Sequence, residues 1–369
     1  MKRIRNYSIS GSKYFILGVI FLVMVIITFI SMKFEQIMPS ATTMADATLP
    51  TVAMDTEAGT QYNVLHGYTS ELDSTLFYGN ITPVAKDRKL TVTINTYGED
   101  IEGVAYKIRS LEDKSLIENT EVSDYDNAGS SINVTFNIKN LLDTGKEYAL
   151  EVVLKTKKHE TVYYYTRIVY GVDYDLQKKL DFVMDFNACT FDDSRLKDIA
   201  GYLETSSSGD NTNYGKVNIN CSLSQVGWGD LDPYVESDIM PEVISVDDDV
   251  AILRLSYRVG AANDYSSSDT YTVSEYYRIR QTNSGFYLLN FEREMNQVFD
   301  ARNDLTSTAK INLGINSSTD VNCASDEKGI YTYFVNQGSL WCFNSSSQTF
   351  TRVFSFKGEE TDSVREGYD

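Results

Sequence analysis

Acidic side chains and a tryptophan lie close together between residues 228 and 242. Trp228 and Asp230 are followed by Glu236, Asp238 and Glu242. Paired carboxylates serve as acid and base, or as acid and nucleophile, in glycoside hydrolysis, and an indole ring offers a surface for a sugar. The Gly and Pro residues of the same stretch favour an ordered loop instead. Carbohydrate hydrolysis, here or in a catalytic region beyond residue 369, is therefore the alternative function and not the leading one.

Other common catalytic arrangements have no counterpart in the sequence. The chain has two histidines, His66 and His159, and the second lies in a polar turn. A Ser or Cys nucleophile needs such a base beside it, and none of the four cysteines is close in sequence to either histidine. The motifs GxSxG, HExxH, GxxxxGK[ST] and GxGxxG do not occur. We therefore expect a protein that is not an enzyme and that holds no cofactor.

One acidic stretch partly matches a calcium-binding loop. In DYDNAG, residues 124–129, Asp124, Asp126 and Gly129 fit the first, third and sixth positions of such a loop. Ala128 and Thr135 do not fit the fifth and twelfth positions, which supply ligands. The pattern therefore predicts no metal site.

The cysteines are spaced too widely for a metal-binding knuckle. They are Cys189, Cys221, Cys323 and Cys342, and they allow three disulfide pairings. Cys323 and Cys342 could lie on neighbouring strands of one sheet, which makes a disulfide between them one interpretation. The other is that all four are small buried hydrophobic residues.

The elements that must position these groups begin with an apolar segment near the N-terminus. Residues 14–30 carry no charge, and residues 31 and 32 extend them. Seventeen helical residues span about 26 Å, close to the thickness of a hydrocarbon core. The basic residues before the segment predict a single-pass signal-anchor over 14–32, with residues 1–13 in the cytoplasm. A cleaved export signal is the first alternative, and a soluble protein with a buried helix is the second. The anchor and the export signal both place the bulk of the chain outside the cytoplasm.

The charge of the exported part limits its partners. The formal net charge of the chain is −19, and residues 34–369 hold 28 basic and 52 acidic side chains, a net charge of −24. Such a surface repels nucleic acid, so we expect no nucleic-acid partner. Residues 33–55 show no sustained periodicity and include two prolines, which predicts a flexible linker that holds the rest away from the bilayer.

Between residues 56 and 172 apolar and polar side chains alternate, which predicts half-buried strands of a β-sandwich. The positions predicted to face the core, all apolar or aromatic except Thr166, are Leu90, Val92, Ile94; Val104, Tyr106, Ile108; Ile132, Val134, Phe136, Ile138; Tyr148, Leu150, Val152, Leu154; and Val162, Tyr164, Thr166, Ile168.

The last two of these runs resemble the end of a fibronectin type III or immunoglobulin-like module. In LLDTGKEYALEVVLKTKKHETVYYYTRIVYG, Leu142, Gly145 and Tyr148 take the places of a tyrosine corner. The resemblance implies a spacer or a binding surface. It does not imply catalysis.

Residues 173–300 combine helical and strand patterns and predict an α+β domain. Two amphipathic helices are predicted, with apolar faces formed by Leu176, Leu180, Val183 and Met184 and by Leu196, Ile199, Ala200 and Leu203. Strands at 250–259, 270–280 and 286–292 follow. This order, with EYYRIRQTNSGFYLLNF, resembles the roll of nuclear-transport-factor-2-like domains. That resemblance implies a pocket lined by Trp228, Tyr257 and Tyr277; the alternative is that these rings belong to the core.

Residues 301–369 predict a further antiparallel sheet. Within them, residues 329–358 resemble one blade of a β-propeller, in which Trp341 is the fourth candidate binding residue. One blade does not bury both of its faces alone, so either further blades follow or the segment forms a small sheet.

Together these patterns predict a mainly β protein with some α: a transmembrane helix, a β-sandwich, an α+β domain and a blade-like antiparallel sheet. The leading functional hypothesis is a membrane-anchored extracellular protein that binds or organises envelope components. Its expected partners are the membrane, through residues 14–32, and a cell-wall polysaccharide or a surface protein.

Overall fold

The structure is a computed structural model that describes residues 19–24, 42–43, 49–125, 129–171, 174–262, 269–301, 306–307, 310–315 and 321–355. Within these residues the chain is mainly β with some helix, and its strands form several sheets with mostly antiparallel pairs. The predicted fold class is confirmed at this level. The chain divides into two compact units. The large unit comprises Ala45–Val298, Leu313–Thr319 and Gly358–Asp369, and the small unit comprises Met1–Met44, Phe299–Asn312 and Asp320–Lys357.

Up to residue 171 the described strands are β1 (Thr42–Thr43), β2 (Thr51–Asp55), β3 (Gln61–Leu65), β4 (Ile81–Val84), β5 (Lys89–Asn95), β6 (Ile101–Ser110), β7 (Leu116–Val122), β8 (Ser131–Asn137), β9 (Glu147–Thr156) and β10 (Glu160–Tyr170). One sheet of the large unit has the order β3-β2-β5-β8, and a second has the order β4-β10-β9-β6-β7. In the second sheet β4 pairs parallel with β10, and the other neighbours are antiparallel.

These two sheets share one hydrophobic core. The rings of Tyr106 on β6 and Phe136 on β8 stack with their centroids 4.7 Å apart, and neither side chain is exposed. The alternating runs of the sequence become strands because successive side chains of a strand point to opposite faces, so every second residue enters the core. Two layers of sheet over a shared core fit a β-sandwich.

The turn before β9 has the hydrogen bond of a tyrosine corner. The hydroxyl of Tyr148 accepts a hydrogen bond from the backbone N–H of Asp143 at 2.8 Å. Gly145 lies in the turn with φ +74°, a conformation that glycine adopts without a steric cost. The turn that the sequence pattern marks is thus closed by the side chain at the start of the next strand.

The predicted linker, residues 33–55, overlaps the first strand of the sandwich. Thr51–Asp55 form β2 between β3 and β5, and Val52, Ala53 and Met54 are fully buried. The linker prediction is wrong for these residues, because a strand covered on both faces shows no alternation of apolar and polar side chains. Residues 33–41 and 44–48 lie outside the described part of the chain.

After residue 171 the large unit contains α1 (Leu176–Thr190), β11 (Lys216–Asn218), α2 (Leu223–Val226), β12 (Tyr234–Val235), β13 (Met240–Val246), β14 (Val250–Ala261), β15 (Asp269–Thr282) and β16 (Gly285–Gln297). Their sheet has the order β11-β16-β15-β14-β12, and β13 also pairs with β14. The predicted hairpin turn joins β15 to β16, where Thr282 pairs with Gly285.

The first predicted helix is present, and the second takes a different form. Leu180 and Val183 of α1 are fully buried, as the spacing predicts. The second segment is a 3-10 helix, Leu196–Tyr202, in which Ile199 is buried and Ala200 is exposed. Leu196 and Leu203 are partly buried against the same core, so three of the four predicted apolar positions pack inward. In a 3-10 helix residues three apart align, which leaves Ala200 outside this face.

The side chain of Asn63 connects strands β3 and β4 of the sandwich to β13 through hydrogen bonds. The residue is fully buried with φ +48°, a left-handed conformation that Asn tolerates. Its Nδ2 donates to the carbonyl oxygen of Ile81 at 2.9 Å and to Oγ1 of Thr82 at 3.1 Å. Its Oδ1 accepts from the backbone N–H of Val243 at 2.7 Å. One side chain therefore holds β3, β4 and β13 together.

The small unit contains β1 and the strands β17 (Thr306–Ser307), β18 (Lys310–Ile311), β19 (Cys323–Ser325), β20 (Tyr331–Asn336), β21 (Ser339–Asn344) and β22 (Thr349–Ser355). The main sheet has the order β1-β22-β21-β20-β19. Strands β19 to β22 form an antiparallel meander, and β1 pairs parallel with the end of β22. We refer to these five strands as the small-unit sheet.

The disulfide that the sequence left open is not formed, and all four cysteines are free. Cys323 on β19 pairs with Phe334 and Cys342 on β21 pairs with Tyr333, so β20 lies between the two cysteines. Strands are spaced about 4.8 Å apart, so two strand spacings exceed the distance that a disulfide bridges. Since Phe334 and Tyr333 are adjacent residues, the two thiols also face opposite sides of the sheet. The other interpretation, that all four cysteines are buried, holds for Cys189 and Cys221, whereas Cys323 is exposed and Cys342 is partly exposed.

The predicted membrane segment, residues 14–32, is described only at residues 19–24, which are helical and exposed. Among the described residues, no helix combines the length and apolar character needed to cross a bilayer. The remaining residues of the segment, the predicted cytoplasmic tail and Asp126 of the acidic stretch lie outside the described part.

Candidate functional site

The structure brings three of the sequence-predicted binding residues together inside the large unit. Trp228, Tyr257 and Tyr277 are at most 4% exposed. Phe191 links the first two, with its ring centroid 5.3 Å from Trp228 and 6.1 Å from Tyr257. The structure places these rings in the core, in agreement with the alternative interpretation.

The same rings surround a buried carboxylate that the sequence patterns did not single out. Glu275 on β15 lies directly opposite Arg293 on β16, and both side chains are fully buried. The hydroxyl of Tyr257 donates to Glu275 Oε1 at 3.0 Å, and that of Tyr277 donates to Oε2 at 2.6 Å. Asn187 Nδ2 also donates to Oε2, at 2.8 Å. We call these five residues the Glu275 network.

Arg293 completes the network from the opposite strand. Its Nη1 lies 3.7 Å from Glu275 Oε1, and its guanidinium carbon lies 3.4 Å from the centroid of the Trp228 ring. Its Nη2 donates to the carbonyl oxygen of Gln225 at 3.1 Å. The cation is thus paired with a carboxylate and stacked on an indole, two interactions that strengthen when water is excluded.

Burial raises the pKa of both tyrosines well above their usual value of 10, and the charge of Glu275 acts in the same direction. Both hydroxyls therefore remain protonated donors at neutral pH. A carboxylate that accepts hydrogen bonds from two hydroxyls and an amide inside a core serves as a structural acceptor. The sequence did contain a signal for it, since Glu275 occupies a core-facing position of an alternating strand.

Trp341, the fourth candidate, lies in the small unit. It is 6% exposed, and its ring centroid is 4.8 Å from that of Phe299. Phe334, Phe343 and Phe350 are buried as well, and Phe334 and Phe350 also contact Phe299. Trp341 therefore belongs to the aromatic core on one face of the small-unit sheet.

The acidic residues near Trp228 lie in different surroundings. Glu242 is almost completely buried and forms an ion pair with Arg254. Asp230 accepts a hydrogen bond from the hydroxyl of Tyr214 at 3.0 Å. Glu236 and Asp238 are exposed. No group of three metal-binding side chains occurs among the described residues. These contacts do not favour the paired-carboxylate arrangement that hydrolysis would require.

A groove of about 450 Å³ lies on the outer face of the sandwich, over β6, β7 and β9. Its floor includes Gly103, Ala105 and Val153, which are small residues on two neighbouring strands. Its rim carries charged and hydroxyl-bearing side chains: Glu102, Glu121, Ser123, Tyr125 and Lys155. We call it the outer groove.

The rim of the outer groove combines acceptors and a cation. Lys155 Nζ lies 3.5 Å from Glu121 Oε1, and both side chains are mostly exposed. The stem of Lys155 passes over Gly103, where an added Cβ would lie 3.4 Å from Lys155 Cδ. Partial burial raises the pKa of Tyr125 above 10, so its hydroxyl remains a donor at neutral pH. The groove is therefore apolar at its base and polar around its edge.

No protein-family model and no curated protein matches this chain. Among solved structures, the chain is similar to the crystal structure of Spo0M, a sporulation control protein from Bacillus subtilis. The identity is 7%, the similarity covers 68% of this chain and 90% of that chain, and the TM-score is 0.20. A similarity this low carries no argument about the fold or the function of this chain.

Proposed function

We propose that this chain is a single-pass, membrane-anchored extracytoplasmic protein that binds envelope polysaccharide through the outer groove. Residues 14–32 anchor it, residues 1–13 lie in the cytoplasm, and the rest lies outside. The observation that carries the binding role is the composition of the outer groove, with an apolar floor and a rim of carboxylates, a hydroxyl, a phenol and an ammonium group.

Sugar rings match such a groove in chemistry. A pyranose has one face of C–H groups, which packs on short apolar side chains, and hydroxyls around its edge, which exchange hydrogen bonds with polar side chains. Ligand sites in proteins are commonly concave and apolar, with a few polar groups that set orientation. The acidic exported part repels polyanions, which favours a neutral or cationic glycan over nucleic acid.

The finer assignment of the modules belongs to the same proposal. Residues 56–172 are proposed as a fibronectin type III or immunoglobulin-like module, supported by the two sheets and the hydrogen bond from Asp143 to Tyr148. Residues 173–300 are proposed as a nuclear-transport-factor-2-like roll, supported by α1 and the β14–β16 meander. Residues 301–369 are proposed as a propeller-blade-like sheet, supported by the meander of β19 to β22.

The binding role is tested by filling the groove. Ala105→Arg places a long side chain on the groove floor, directly opposite Glu121, with which the new cation can pair. The matched control is Ala200→Arg, the same change at an exposed alanine of the 3-10 helix. The full chain in detergent micelles is incubated with purified envelope polysaccharide, and bound protein is measured by sedimentation. We expect at least a tenfold loss of affinity for Ala105→Arg and none for the control.

Two results would contradict the proposal. The first is wild-type protein that does not sediment with any polysaccharide fraction. The second is equal binding by Ala105→Arg and wild type, with unfolding midpoints showing that both are folded. If the partner is a surface protein instead, only envelope fractions that contain protein should retain the chain.

A further inference from the structure

The outer face of the small-unit sheet is aromatic and exposed. Tyr331, Tyr333 and Val335 alternate along β20 and are 43%, 41% and 51% exposed. Their partners on β21 are Cys342 opposite Tyr333 and Leu340 opposite Val335, both partly exposed. Residues directly opposite each other on antiparallel strands share a face. We call these five residues the tyrosine face.

The tyrosine face is separate from the core of its own sheet. Phe334, Trp341, Phe343 and Phe350 are buried on the opposite side, and Phe299 packs against them. The sheet therefore has one side that is filled by its own aromatic side chains and one that presents tyrosine and aliphatic groups to the surroundings. A contiguous apolar surface of this kind marks an interaction site.

The path of the chain places this sheet near the predicted anchor. Thr42 and Thr43 form β1 and pair with Phe354 and Ser355 of β22. Nine residues lie between residue 32, where the predicted anchor ends, and Thr42. A fully extended chain spans at most about 3.5 Å per residue, so the sheet is tethered within about 35 Å of the bilayer.

The charge of the sheet region permits contact with a bilayer. Phe299–Asn312 and Asp320–Lys357 together hold five basic and five acidic side chains, whereas the large unit carries 23 basic and 46 acidic ones. The negative charge of the exported part thus belongs to the large unit. A neutral surface that presents tyrosines suits the headgroup region, where amphipathic rings concentrate at both membrane interfaces.

We propose that the tyrosine face of the small-unit sheet docks on the headgroup region of the bilayer that anchors the chain. The proposal rests on the membrane anchoring put forward under the proposed function. It places the small unit at the membrane surface, with the tyrosine face in contact with lipid.

The test uses the full chain reconstituted into phosphatidylcholine vesicles, with tryptophan as a depth reporter. Tyr333→Trp and, as a second reporter, Val335→Trp place an indole on the tyrosine face. Tyr287→Trp, at a 54% exposed position of β16 in the large unit, is the matched control. Emission is compared between vesicles with ordinary lipid and vesicles whose acyl chains are brominated near the headgroup. Wild-type emission, from Trp228 and Trp341, is subtracted.

We expect brominated lipid to lower the emission of the face reporters at least twofold and to leave the control unchanged. Equal emission in the two lipids, from protein that floats with the vesicles, would overturn docking alone. If the protein no longer floats with the vesicles after an alkaline wash, the result would contradict the membrane anchoring and the proposed topology. A dimeric mass of the chain in detergent, with the face reporters protected from acrylamide in the dimer and accessible in the monomer, would assign the face to a second copy of the chain and overturn lipid docking.

Discussion

At the scale of single residues, the polar interior of the large unit depends on side-chain pairs that face each other across strands. Glu275 and Arg293 are directly opposite in the β15–β16 register, and both are fully buried. Two ions taken out of water are tolerated because each has partners, so removal of one leaves the other uncompensated. The sequence patterns pointed to the aromatic rings around this pair and not to the pair itself.

Glu275→Gln should destabilise the large unit by about 3–5 kcal/mol, because the charge of Arg293 then lacks its carboxylate. The measurement is the urea dependence of unfolding at pH 7. Glu294→Gln, on the same strand as Arg293, is the control, since the Glu294 pair with Lys216 is exposed and its loss should change little. A Glu275→Gln protein as stable as wild type would show that the pair is not a structural element.

The free energy of unfolding should decrease at acidic pH because of His66. Burial lowers the pKa of His66 from 6.5 to about 4. Between these values the unfolded chain binds a proton that the folded chain does not, so stability falls as the pH drops from 6.5 to 4. The loss from this residue is about 2–3 kcal/mol. Urea unfolding of wild type and His66→Asn across this range should differ in slope, and parallel curves would contradict the assignment.

At the scale of elements, the alternating pattern predicted the strands with one face in a core. Strand β5, for example, carries Leu90, Val92 and Ile94 as expected, with none of them more than 3% exposed. Strand β2 was missed because it is buried on both faces, and the outer groove was missed because its floor combines Gly103, Ala105 and Val153 from two strands. Their proximity depends on strand register, which a pattern within one strand does not contain.

Strand order decides the state of the small unit's cysteines. With β20 between them, Cys323 and Cys342 should both react with a thiol reagent, and the chain in denaturant should give four thiols with or without prior reductant. Cys323→Ser should lower the count to three under both conditions. A gain of two thiols on reduction would mean that β19 and β21 are neighbours and that the strand order is wrong.

At the scale of the whole molecule, the charge is divided unevenly between the two units. The large unit has 23 basic and 46 acidic side chains, and the small unit has ten basic and six acidic ones. Repulsion within a strongly charged unit opposes its compact state, and salt screens this repulsion over about 10 Å at 0.1 M. The two units should therefore respond differently to ionic strength.

Hydrogen exchange followed by mass spectrometry can measure this difference. Between 20 and 500 mM sodium chloride, backbone amides of the large unit should become more protected, whereas those of β20 to β22 should change little. Potassium chloride at the same ionic strength serves as the control for a specific sodium effect. An equal change in protection in both units would show that repulsion among the acidic side chains does not destabilise the large unit.

The parallel pair of β1 and β22 has a consequence for biogenesis. Thr42 emerges from the ribosome about three hundred residues before Phe354, its partner, so the small-unit sheet closes only after residues 44–353 have been synthesised and, in the proposed topology, exported. At 5–20 residues per second, β1 waits about 15 to 60 seconds without its partner. If the proposed topology holds, a chain stalled during translocation displays an open sheet edge next to the proposed anchor, and a quality-control protease can distinguish it from a finished molecule.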